Sequence, residues 1–108
     1  MKTVAGGSLE RKYMTDGLDD FRRQINECDE SLIELINKRL GICLEVGDFK
    51  AKRGLEVRHP AREKEVIARA VDRNQGPCTP EAVEKIFRLF IDTAVELEEN
   101  HDIFRPEK

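Results

Sequence analysis

From Leu18 to Phe49 the chain repeats apolar residues at alternating spacings of three and four: Leu18, Phe21, Ile25, Cys28, Leu32, Leu35, Ile42, Val46 and Phe49, with one vacancy at position 39. That rhythm follows the helical turn, not the two-residue pleat of a strand. No proline interrupts it before Pro60. The pattern therefore predicts one helix starting near Asp16 and running for about 36 residues, about 54 Å at the helical rise. Thr15 or Asp16 stands where an N-cap belongs, and Gly54 where a left-handed terminator is expected. A second helix is predicted from Pro60, whose fixed φ suits the first helical position, to about Gln75, with Gly76-Pro77 stopping it. Thr79-Pro80-Glu81 supplies a cap, a proline and an acid for a third helix. Its stripe of Val83, Ile86, Phe87, Phe90, Ile91, Ala94, Val95 and Leu97 reaches about Asn100.

No alternating run of Val, Ile and Thr offers a sheet, so the predicted class is all-α with three helices per chain. Residues 1–15 and 101–108 lack periodicity and read as a flexible extension and a tail around one domain, 16–100. Two short helices folded onto one long helix cannot bury its whole seam. The expected assembly is an intertwined homodimer whose two-fold symmetry makes the seams self-complementary.

Several classes are excluded. No stretch approaches the roughly 18 apolar residues of a membrane span, and Met1–Ser8 lacks the apolar segment of a secretory signal, so the expected compartment is the cytoplasm. Cys28, Cys43 and Cys78 are odd in number without a CxxC spacing, and read as small apolar residues, with no disulfide framework or zinc site. The 108 residues carry a net charge of −3. From Lys50 to Arg73, however, eight Lys and Arg face four acids, a local +4 that leaves −7 elsewhere. Such a patch is a solvated helix face or a pocket for a small anion, and not a broad nucleic-acid surface.

Arg39 fills the vacancy in the seam, and a cation in an apolar line needs an anionic partner. Lys50 follows eleven residues later, about three full turns, which places both cations on one face with Cα atoms about 16 Å apart. Gly47 and Cys43 lie between them and leave room for a ligand. Arg22 is about 42 Å along the same helix from Lys50 and cannot reach that pocket within one chain. An antiparallel dimer brings it there; the plainer reading is a surface arginine paired with Asp19. Glu63, beside Arg62 in the first turn of the second helix, either complements the helix dipole or accepts from a ligand hydroxyl. Glu98 ends an apolar line through Phe87, Ile91 and Ala94, and is either solvated or aimed inward.

Four blocks, Leu18-x-x-Phe21-Arg22-x-x-Ile25-x-x-x-Asp29, Asn37-Lys38-Arg39 through Glu45-Val46-Gly47-x-x-Lys50, Pro60-Ala61-Arg62-Glu63 and Ile86-Phe87-Arg88-Leu89-Phe90-Ile91, together resemble the all-helical chorismate mutase family. The resemblance covers residues 18 to about 99 and implies an intertwined dimer of three-helix chains. It also implies a Claisen rearrangement of chorismate to prephenate that needs no cofactor or metal. By similarity, Arg39 and the Arg22 of a second chain each grip a substrate carboxylate, with Arg62 supporting that network. Lys50 donates to the ether oxygen and Glu63 accepts from the ring hydroxyl. Three positions depart from the commonest pattern. His59 replaces an Asp that both caps the second helix and contacts the hydroxyl, and Ala94 replaces a small hydroxyl residue. Glu98 replaces a Gln that donates to the ether oxygen, a task a carboxyl performs only when protonated.

Those departures leave other readings open. The same scaffold serves an isochorismate-pyruvate lyase or an amino-chorismate mutase, and a non-catalytic helical dimer could bind an anionic metabolite or a partner protein.

Overall fold

The computed structural model describes residues 9–100, with side chains from Gly17 onward. Three helices make up the fold: α1 (Leu9–Lys52), α2 (Pro60–Arg73) and α3 (Pro80–Asn100), with no strand among the described residues. The start of α1 corrects the sequence expectation. The helix runs through Thr15 and Asp16 and begins at Leu9, so neither residue caps it. Leu9–Asp16 holds no Gly or Pro and is rich in Leu, Glu, Arg, Lys and Met, so propensity extends the helix where no apolar period signals it. Residues 1–8 of the expected extension and the tail 101–108 lie outside the described residues.

Contacts group the chain into two units, one through Lys38 and one from Arg39. In the first, α1 presents Arg22–Asp19 (3.9 Å) and Arg23–Asp20 pairs one turn apart, all exposed. The second holds the rest of α1 with α2 and α3, and among the described residues those buried, Val83, Ile91 and Ala94, all come from α3.

The end of α1 follows from Gly54. Its φ of 67° is open to glycine at little cost, and it lets Leu55 N–H donate to Lys50 O (2.9 Å) and Gly54 N–H to Ala51 O (3.2 Å). These two bonds form a Schellman terminator. Pro60 opens α2 as expected, and His59 caps it, its Nδ1 accepting from Arg62 N–H at 3.1 Å. The helix stops at Arg73, short of Gln75, because Asn74 adopts an extended backbone. Asn74 Oδ1 accepts from Gly76 N–H (3.1 Å), and its Nδ2 donates to Cys78 O (2.7 Å), a local turn that competes with the helix. Thr79 caps α3 through Oγ1, which accepts from Ala82 N–H at 3.1 Å.

The seam of α1 remains open. Leu18, Phe21, Ile25, Leu32, Leu35, Ile42, Val46 and Phe49 are between 41% and 63% exposed. No helix among the described residues is long and apolar enough to cross a membrane.

Candidate active site

Within the second unit, the end of α1, the start of α2 and the last half of α3 line an open cavity of about 320 Å³, inside the range of small-molecule sites. Arg39, Cys43 and Lys50 line it from α1, Val57 and His59 from the connecting loop, Arg62 and Glu63 from α2, and Ala94 and Glu98 from α3. The eleven-residue spacing of Arg39 and Lys50 thus places both cations on one wall. Of the sequence-derived site residues, Arg22 is the exception: it belongs to the first unit and sits exposed beside Asp19.

Each cation has a distinct setting. Arg39 lies with its guanidinium carbon 5.9 Å from the Phe90 ring centroid and its Nη1 3.8 Å from Cys43 Sγ, so an aromatic face and a thiol hold it. Lys50 Nζ donates to Val57 O at 2.8 Å, which uses one of its three N–H groups. Arg62 pairs with Glu65 at 2.9 Å on the exposed side of α2.

Glu98 points inward. Its Oε1 is buried with no hydrogen-bond partner among the described residues. Burial raises its pKa above the usual carboxyl range, against the opposing pull of the Lys50 charge and with a further push from Glu99. Room for this side chain comes from Gly47: a Cβ there would stand 3.0 Å from Glu98 Cγ. The space expected beside Gly47 for a ligand is therefore filled by Glu98, and Cys43 alone of that pair lines the cavity. Burial, the dominant effect, also pushes the Cys43 thiol up, as the Glu98 charge does, while Arg39 and Lys50 draw it down. A protonated thiol of this kind is the small apolar residue expected, and all three cysteines are free.

Glu63 receives two guanidiniums. Arg58 Nε donates to Oε2 (3.0 Å), and Arg58 Nη2 (3.1 Å) and Arg88 Nη1 (2.9 Å) both donate to Oε1. Hydrogen bonding from Arg58 leads in holding this carboxyl below its ordinary range; burial opposes it and Arg88 assists. Asp92 completes the cluster, bonded to Arg58 at 2.9 Å and 3.7 Å from Arg88. Sequence reading assigned no role to Arg58, Arg88 or Asp92. The one local signal is the four-residue step from Arg88 to Asp92. Ala94, 5% exposed, offers the cavity only a methyl group. Among the described residues, no group of His, Cys, Asp and Glu is placed to hold a metal ion.

Three helices around a pocket of fixed cations and one inward carboxyl define a helical domain suited to a compact anion. Residues 21–99 match the family described as chorismate mutase type II, and the chain belongs to that family. The chorismate mutase (Form II) of Thermus thermophilus shares the fold with a TM-score of 0.74 at 26% identity, covering 76% of this chain and 93% of that one. The chorismate mutase of Methanocaldococcus jannaschii is 29% identical over 84 residues, 73% of this chain and 81% of that protein. The bifunctional chorismate mutase/prephenate dehydratase of Aquifex aeolicus is 29% identical over 85 residues, 75% of this chain. The chain spans only 24% of the Aquifex protein, and less than two thirds of several other curated relatives it matches.

Proposed function

We propose that the chain is a chorismate mutase, converting chorismate to prephenate by restraint and electrostatics. The observation that carries this reading is the convergence of Arg39, Lys50, Arg62, Glu63 and the inward Glu98 on one small cavity. In the rearrangement the ether C–O bond breaks as a new C–C bond forms, so no atom is gained or lost and no nucleophile is required. The site has two tasks: to hold a flexible dicarboxylate compactly, and to stabilise charge developing on the ether oxygen. Arg39 meets one carboxylate, with Arg62 supporting the network. Arg22 of a second copy meets the other, and the open seam of α1 supports the homodimer that brings it there. Lys50, with two N–H groups left after Val57, donates to the ether oxygen, and protonated Glu98 donates to it as well. Glu63 accepts from the ring hydroxyl, and the active sites are shared between chains.

Incubation with chorismate, following loss of its absorbance and identifying the product, tests this directly. Prephenate is the expected product. Free pyruvate released from isochorismate would assign the lyase instead, and binding without turnover would assign a non-catalytic dimer.

A further inference from the structure

Glu63 offers the cavity less than a carboxylate normally does. A carboxylate oxygen has about two acceptor directions. Oε1 is filled by Arg58 and Arg88, and Oε2 takes one bond from Arg58. A single acceptor direction, on Oε2, is left. The charge is compensated too, since two guanidiniums and two carboxylates form a closed cluster with no net charge. Arg58, Arg88 and Asp92 stand about half exposed on its outer side, whereas the Glu63 side chain is only 14% exposed.

The geometry points to Arg58 and Arg88 as positioning residues that make Glu63 a one-place, charge-compensated acceptor, selecting a hydroxyl over an ammonium on the substrate ring. The inference rests on the reading of the cavity given above and adds its specificity. A bare carboxylate binds an ammonium more strongly than a hydroxyl, because the bond is then ionic at both ends. Two guanidiniums already on the carboxylate neutralise its charge and remove that advantage, and at the free Oε2 direction they are the charges nearest to an incoming ammonium. A hydroxyl needs only the remaining lone pair. Discrimination thus comes from a repulsive element as well as an attractive one.

The test compares chorismate with its amino-for-hydroxyl analogue, by kcat/KM and by calorimetric affinity, in the wild type, Arg88→Gln, Arg58→Gln and Arg88→Lys. Arg88→Gln is expected to lower kcat/KM for chorismate about tenfold while the analogue holds or gains, shifting the preference toward the amine by about tenfold or more. Arg58→Gln is expected to shift it in the same direction, an independent check if one variant folds poorly. Arg88→Lys, which keeps the charge without the planar fork, is expected to recover most of the preference. A purely structural role would lower both substrates equally. If the wild type turns over chorismate and neither glutamine variant changes the ratio, this inference fails alone. If the wild type binds neither compound, it fails together with the reading it rests on.

Discussion

At Glu98, burial and the Lys50 charge pull one carboxyl in opposite directions, and burial wins. The folded chain therefore holds the Glu98 proton more tightly than the unfolded chain does. Its contribution to stability is complete below the ordinary carboxyl range and is lost as pH rises through the raised value. In the proposed mechanism that same proton is donated to the ether oxygen, so chorismate turnover is expected to rise as pH falls from about 8 to about 5. Glu98→Gln, a permanent donor, is expected to flatten that profile and to raise Tm most at the alkaline end, where the wild type buries a charge. A wild-type rate constant across that range would remove protonated Glu98 from the mechanism. Lys50→Ala deletes the other donor, and a loss of about 10²–10³-fold in kcat/KM is expected from steady-state kinetics. Sequence reading could pair Arg39 with Lys50 because both lie on one helix, where spacing fixes their face. It could not find the Arg58–Glu63–Arg88 clamp, because Arg88 lies 25 residues from Glu63 and meets it only through the packing of α2 on α3.

Among the elements, most helix ends follow from single residues: Gly54 closes α1, His59 and Pro60 open α2, and Thr79 opens α3. Gly54, Pro60 and Thr79 were legible because such signals act within one turn; the His59 cap was not, because histidine ranks below the Asp expected there as a cap. The start of α1 at Leu9 was not, since helix propensity there has no apolar period to announce it. The His59 cap requires an unprotonated Nδ1, for a protonated ring has no acceptor left for the Arg62 N–H. His59→Asp supplies a permanent acceptor beside the N-terminal dipole and is expected to add up to about 1 kcal/mol, read as a rise in Tm. An unchanged or lower Tm would show that the cap adds little. Where α1 meets α3, Gly47 trades helix propensity for closeness. Gly47→Ala gains about 1 kcal/mol of propensity, yet its Cβ meets Glu98 Cγ at 3.0 Å. We expect near-unchanged Tm with a clear loss of kcat, because the displaced group is the proposed donor and not the core. Equal losses in Tm and activity would instead make Gly47 a packing residue only.

For the molecule as a whole, the seam that predicted the long helix also states what the chain lacks. A single copy leaves eight of those residues at least 41% exposed, and among the described residues the buried core is three residues of α3. Burying such a seam is the dominant favourable term in association, and the proposed homodimer would cover it. Arg22 gives the assembly a chemical test. In one chain it is an exposed partner of Asp19 in the unit that does not contain the cavity. In the shared-site dimer it completes the site of the other copy. Arg22→Ala and Lys50→Ala should each be nearly inactive alone, since every site then lacks one cation. Unfolded, mixed in equal amounts and refolded together, half of the dimers pair one variant with the other. Each such hybrid contains one site with both an intact Lys50 and an intact Arg22, so about a quarter of wild-type activity should return. A mixture as inactive as its parents, with light scattering still giving the mass of two chains, would keep the dimer and reject the shared site.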